Sequence, residues 1–186
     1  NGIALRNQTT DSIGIFASMA YDMSDILTLA GGVRFTDEEK EFTAGRSLGP
    51  FVSGALPPRT VTVGDDQISW DLSATYQYSD DISYYAKIAR GFRGPSVQGR
   101  LVFGNDISDA DSETVLSYEA GVKSELYDNR LRANANVFLY TLEDQQLTIV
   151  GGLDNTVALF NADESEGYGF EADIGALLTD NLVVTG

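Results

Sequence analysis

The chain of 186 residues contains no cysteine and no histidine, which excludes disulfide bonds, thiol nucleophiles, Cys/His zinc sites and histidine-based catalytic triads. Its 28 acidic residues outnumber 12 basic ones, and the formal net charge of −16 repels the phosphates of nucleic acids. No run of about 18 or more apolar residues is present, so passage through a membrane would have to use β-strands. The sequence therefore predicts no catalytic activity, no nucleic-acid partner and no cofactor.

Segments of strand length follow one another along the chain, and in most of them apolar residues recur with the period of two that is typical of β-strands. In 68–78, every even-numbered residue is apolar and every odd-numbered residue is polar, which predicts one wholly apolar face. Five further segments share this alternation, and one shows it more weakly. The six clear segments are 13–21, 27–35, 68–78, 116–126, 131–139 and 168–176, and the weaker one is 82–92.

Short polar turns and longer polar segments alternate between these strands. The short turns are predicted at Asp22–Asp25, Ser79–Asp81, Asp128–Arg130 and Thr179–Asn181. Loops are predicted at about 41–65, 93–112 and 151–164, which are rich in Gly, Pro, Asp and Ser. Short turns at one end and long loops at the other are typical of the periplasmic and outer ends of a bacterial β-barrel.

The alternation alone fits either a soluble β-sandwich or a membrane barrel whose apolar face contacts lipid. Segment length favours the barrel, because a tilted membrane strand needs about 9–11 residues, whereas strands of globular proteins cluster near 5–6. Tyrosines favour it as well. Tyr21, Tyr78 and Tyr127 each lie directly before a short turn, and Tyr84 closely follows one. This placement predicts the aromatic girdle of a membrane interface.

Five motifs resemble, in chain order, the barrel of TonB-dependent receptors. Residues 82–96 (ISYYAKIARGFRGPS) resemble the strand-to-loop passage YASYSRGFRAP of that family, and residues 113–132 resemble its hairpin PETLTSYELGLKSELLDGRLRLN. Of the other three motifs, residues 27–36 are similar to LTLGLRYT, residues 138–147 to FYTDYDDLQ, and residues 161–171 to NAGKARSYGVELE. The resemblance covers about 27–186.

The resemblance implies an all-β fold, an antiparallel transmembrane β-barrel segment in the bacterial outer membrane. Receptors of this family have a plug domain and a barrel of about 22 strands. Their outer loops capture a scarce ligand, commonly a ferric siderophore, and TonB relays the energy for uptake. Residues 1–186 are accordingly expected to form a partial barrel domain of seven or eight strands without the plug. The expected partners are membrane lipid, the plug domain, TonB and a ferric siderophore or similar nutrient.

Two other functions remain open at this point. One is a passive porin or a small closed outer-membrane barrel, which would have no plug. The other is a soluble or surface-attached β-sandwich that acts as an adhesin or binds carbohydrate. Trp70 would stack on sugar in that case, but its place on a clean apolar face favours contact with lipid.

The candidate ligand-binding residues are Arg90 and Arg93, at the mouth end of a predicted strand. Cations there would attract an anionic iron chelate, or would alternatively pair with carboxylates of the wall or plug. The segment 105–113 has oxygen ligands that calcium accepts, but it lacks EF-hand spacing, which favours a solvated acidic loop. Five charged residues are predicted to face the lumen: Glu119, Lys123, Glu125, Arg132 and Glu171.

Overall fold

The computed structural model describes residues 3–49, 54–102, 104–151 and 156–186, in which the regular structure consists of β-strands. The strands are β1 (Ile3–Ser24), β2 (Leu27–Leu48), β3 (Leu56–Ser79), β4 (Ile82–Arg93), β5 (Ser96–Gln98), β6 (Ser108–Ala110), β7 (Glu113–Leu126), β8 (Leu131–Gly151), β9 (Thr156–Thr179) and β10 (Leu182–Thr185). No helix among these residues is long and apolar enough to cross a bilayer.

Eight of the strands form one antiparallel sheet in the order β1-β2-β3-β4-β7-β8-β9-β10. Each strand pairs with the one that precedes it in the chain, except that the small hairpin β5-β6 is inserted between β4 and β7. β1 and β10 lie at opposite ends of this order. The expected all-β, antiparallel architecture with seven or eight strands is therefore confirmed.

The strand register places the predicted apolar residues on one face of the sheet. Val33 of β2, for example, lies between Ala17 of β1 and Trp70 of β3. This face is not covered by the described part of the chain, since Tyr168 is 84% exposed and Phe170 is 81% exposed. We call it the outward face and the opposite one the polar face. Because uncovered apolar side chains need an apolar environment, the outward face is suited to lipid.

The tyrosines at the short turns lie where an aromatic girdle would place them. Tyr21, Tyr78, Tyr84 and Tyr127 are all exposed. The rings of Tyr78 and Tyr84 meet edge to face, with centroids 6.2 Å apart, across the β3-β4 hairpin. Such amphipathic rings suit the boundary between lipid and water.

The sequence predictions of long loops at 41–65 and 151–164 are largely wrong. β2 continues to Leu48 and β3 begins at Leu56, with pairs such as Thr43 opposite Thr60. β8 and β9 likewise remain paired up to Gly151 and Thr156. Alternation fails to mark these extensions because a strand that contacts water on both faces needs no apolar face. The backbone pairing with the neighbouring strand nevertheless continues.

The short turns are close to their predicted positions. The first lies at Asp25–Ile26 and not at Asp22–Asp25, since β1 remains paired through Ser24. The turn between β7 and β8 contains three successive residues with left-handed backbone, Tyr127, Asp128 and Asn129, at φ of 55°, 54° and 63°. Asn and Asp tolerate this region better than other non-glycine residues.

Asn129→Val in the full-length protein is expected to lower the free energy of unfolding by about 1–2 kcal/mol, because a β-branched side chain crowds the backbone at positive φ. Asn129→Gly is the control and is expected to be at least as stable as the natural protein. Urea-dependent unfolding from lipid vesicles would measure both. A valine variant as stable as the glycine variant would contradict the role of turn geometry.

Candidate functional site

Charged and amide side chains cover the polar face of the sheet. Arg132 lies 3.5 Å from Asp173, and Asn136 donates to Glu171 at 3.4 Å. Lys123 lies 5.2 Å from the ring centroid of Tyr85. The five charges predicted to face the lumen all take register positions on this face: Glu119, Lys123, Glu125, Arg132 and Glu171. The prediction that these five residues share a polar face opposite the apolar one is confirmed.

Large side chains on the polar face lie over glycines of neighbouring strands. A Cβ atom added at Gly167 would lie 2.3 Å from the ring of Tyr140, and one at Gly121 would lie 2.7 Å from the ring of Tyr85. Phe138 and Tyr140 are stacked, with centroids 6.3 Å apart and an angle of 12°. The glycines therefore allow flat rings to line the wall. The sequence alone does not reveal this arrangement, because the glycine that faces each ring can be identified only once the register is known.

The connection between β4 and β7 folds over the polar face and is held there. We call residues 94–102 and 104–112 the strap. Leu101 of the strap is buried against Phe42 and Ala44 of β2. Beside this small apolar core, the guanidinium of Arg46 is buried among backbone oxygens of the strap. At the other end, Gln146 of β8 bonds both stems of the strap.

The two candidate ligand-binding residues, Arg90 and Arg93, take register positions on opposite faces of the sheet. Arg93 pairs with Glu113 on the polar face, where its guanidinium lies 4.0 Å from the carboxylate. Arg90 aligns with Trp70 and Leu116 of the outward face, where the pairing of β3 with β4 ends. Its guanidinium donates to the backbone oxygen of Ile68.

Arg90 is also linked to a carboxylate of the wall through an amide. It donates to Gln67 Oε1 at 3.1 Å, and Gln67 Nε2 donates to Asp65 Oδ2 at 2.7 Å. This donation lowers the pKa of Asp65 below its usual value, because it favours the ionised carboxyl. Arg90 thus bonds acceptors that remain free where the β3-β4 ladder stops.

The acidic segment 105–113 bonds the wall. Ser108 Oγ accepts from the backbone NH of Leu159, and Asn161 bonds both the NH and the carbonyl of Asp111. In the described ranges, no group of three or more acidic side chains is placed to hold a metal ion.

An open groove of about 680 Å³ lies on the outward face between β2 and β8. A row of small residues, Ala74, Ala86 and Ala120, forms part of its lining, and Leu72 and Ile88 flank the row. Apolar side chains dominate the lining, and the groove lies on the face that is suited to lipid. It is accordingly a surface for acyl chains and not a site for a polar solute.

A comparison with known protein families shows which family contains this sheet. The profile of the family described as "TonB dependent receptor-like, beta-barrel" matches residues 2–185, nearly the whole chain. The chain belongs to the TonB-dependent receptor family. β-Barrels of this family are proteins of the Gram-negative outer membrane, which fixes the location of this one and confirms the resemblance of the sequence motifs.

Individual relatives are named as receptors. The Pesticin receptor of Yersinia enterocolitica is 28% identical over 167 residues, which cover 89% of this chain and 23% of that protein. The Ferric aerobactin receptor of Klebsiella pneumoniae is 24% identical over an alignment of 205 positions, gaps included, which covers 94% of this chain and 26% of that protein.

Solved structures agree with the fold. The ferric yersiniabactin uptake receptor of Yersinia pestis superposes with a TM-score of 0.78 at 21% identity, over 95% of this chain and 26% of the other. This chain thus spans about a quarter of the length of these three relatives. The family and these relatives are transport receptors and not enzymes.

Proposed function

We propose that this chain is part of the wall of a complete TonB-dependent receptor that imports a ferric siderophore, with energy relayed by TonB through a plug domain. The match of the family profile over residues 2–185 is the observation that carries the proposal. Among the relatives, two are receptors named for iron complexes, ferric aerobactin and ferric yersiniabactin. A polar face opposite a lipid-compatible face fits a wall between membrane and lumen.

The unpaired edges of the sheet support a larger barrel. Within the described residues, β1 and β10 each pair with one neighbour and not with each other. An unpaired backbone group costs several kcal/mol in hydrocarbon, because no water is present to bond it. We infer that further strands of the full protein pair with these edges, so that residues 1–186 are one part of a barrel domain. Closure of these eight strands alone would require β1 to pair with β10.

Uptake of labelled iron by the full-length receptor tests this function. A bacterial host without its own siderophore receptors would express it and receive ⁵⁵Fe as ferric yersiniabactin, ferric aerobactin or other chelates, and a matched host would lack TonB. Saturable uptake of at least one ferric complex is expected only in the host with TonB. Uptake that does not saturate and persists without TonB would instead indicate a passive porin.

Arg93 is the arginine proposed to attract the anionic iron complex, since 62% of its side chain is exposed on the polar face at the outer end of β4. Arg93→Gln is expected to raise the apparent KM for uptake by about threefold to tenfold, more at low ionic strength, with little change in maximal rate. Arg90→Gln is expected to leave KM closer to the natural value, because Arg90 is already bonded within the wall.

Arg132→Gln is the matched control. Its side chain is 61% exposed on the same face and also faces a carboxylate, but it lies next to the short-turn end. Its removal is therefore expected to leave KM unchanged. An equal rise of KM in both variants would show that Arg93 acts only through the total charge of the wall.

A further inference from the structure

We propose that Arg46 is a positioning residue that fixes the strap against the polar face, so that this part of the outer mouth is a permanent wall and not a moving gate. The significance for ligand entry rests on the proposed function. The positioning itself rests on contacts of the described residues alone.

Arg46 is a buried cation surrounded by uncharged oxygens. It is 4% exposed, and its guanidinium donates to five acceptors. Nε donates to the carbonyl of Gly54 at 3.0 Å, and Nη1 donates to that of Leu101 at 2.8 Å. The remaining acceptors are the carbonyls of Val102 and Gly104 and the side-chain oxygen of Asn105. One side chain thereby joins the β2-β3 connection to the tip of the strap.

These acceptors depend on Arg46 as much as Arg46 depends on them. A buried guanidinium is tolerated only where its donors are bonded, and carbonyls turned toward it lose their partner when it is removed. Lysine has three donors on a point charge and cannot reproduce the planar arrangement. Leu101, which is 1% exposed, packs against Phe42 and Ala44 directly beside this site. The tip of the strap is therefore held by an apolar contact and by a buried charge.

The strap is also anchored to β8, a strand of the same sheet that is distant from β2. Gln146 of β8 donates to Gly94 and Asp111, close to the two ends of the strap, at 2.9 and 2.8 Å. β2 and β8 are separated by β3, β4 and β7, or about 20 Å at the usual strand spacing. A gate hinged at one edge would leave its tip free. A segment anchored at both its tip and its stems has no such free end.

Hydrogen exchange in the purified full-length receptor tests the role of Arg46 without any ligand. Arg46→Gln is expected to raise amide exchange in the strap by about a hundredfold while exchange in β7 and β8 stays unchanged. Arg34→Gln is the control, because Arg34 is a cation of the same strand and face that bonds Thr36 and not the strap. Unchanged exchange in the strap of the Arg46→Gln protein would overturn the proposal.

Arg46→Lys keeps the test decisive if the glutamine variant does not reach the membrane. The retained charge is expected to preserve the barrel, while the loss of bonds to the strap raises its exchange by about tenfold. Exchange in the strap equal to that of the natural receptor would again contradict the positioning role.

A reversible crosslink distinguishes a wall from a gate. A Cβ atom on Gly104 would lie 3.7 Å from Cβ of Thr156 in β9, which is within the range of disulfides, and the chain has no cysteine of its own. In Gly104→Cys/Thr156→Cys, uptake of ⁵⁵Fe-labelled ferric yersiniabactin is expected to be the same, within about twofold, before and after oxidation. Loss of uptake on oxidation, with recovery by a reductant, would show that the strap moves and would overturn the proposal. If the reduced receptor imports no ferric complex, the proposed function fails, while hydrogen exchange still decides the role of Arg46.

Discussion

Leu72→Arg in the full-length receptor is expected to lower the free energy of unfolding from a membrane by about 2–4 kcal/mol. Leu72 lies on the outward face of β3, midway between Ile68 and Tyr76, and is 55% exposed. Its neighbours on the adjacent strands are Gly31 and Ile88, and neither has a carboxylate that could pair with a guanidinium. The arginine would therefore be placed among acyl chains near the centre of the apolar band.

Thr75→Arg in the same strand is the control, since Thr75 lies on the polar face opposite Thr28 and Tyr85. An arginine there would contact water or the Tyr85 ring, and the expected change is below about 1 kcal/mol. Urea-dependent folding into lipid vesicles would measure both variants. Equal effects at the two positions would mean that lipid does not contact the face that contains Leu72.

The membrane part of the sheet could be predicted from the sequence because one physical condition acts on every strand. Lipid on one face and a polar interior on the other impose period two, so 68–78 could be assigned to its faces residue by residue. The same rule places Trp70 on the outward face, where the register confirms it. The tyrosines near the turns follow from the same boundary between lipid and water.

The outer part could not be predicted in this way because both faces meet water there. Residues 37–41 of β2, which read DEEKE, carry charge at successive positions and therefore on both faces. Their strand structure is maintained by pairing with β1 and β3, which a local pattern does not reveal. The sequence therefore predicts loops where the chain continues as paired strands.

In the candidate site, too, some features can be predicted from the sequence and others cannot. The sequence motif placed Arg90 and Arg93 together at the end of a strand, but positions three apart in a strand point to opposite faces. No local sequence pattern marks Arg46 as a buried residue, because its acceptors lie up to 59 residues further along the chain. A buried cation that is surrounded by distant carbonyls can be recognised only after the strap has been placed.

Gln146→Leu is expected to lower the free energy of unfolding by about 2–4 kcal/mol, because it removes a buried amide whose nitrogen and oxygen both bond protein groups. Gln146 is 8% exposed, donates to the carbonyls of Gly94 and Asp111, and accepts from Ser96 Oγ at 2.7 Å. Leucine has nearly the same volume, so the loss would come from two carbonyls and a hydroxyl left without their partner, and not from a cavity.

The neighbouring residue provides the control for this change. Gln145 accepts a single bond, from Ser165 Oγ at 2.6 Å, and is only half-buried. Gln145→Leu is expected to cost less than about 1 kcal/mol, because water can replace that bond. Urea unfolding of the full-length receptor would compare the two variants, and hydrogen exchange would show whether the loss lies in the strap. If both variants lost the same stability, the buried bonds of Gln146 would contribute nothing beyond those of a surface amide, and the stems of the strap would be held by backbone pairing alone.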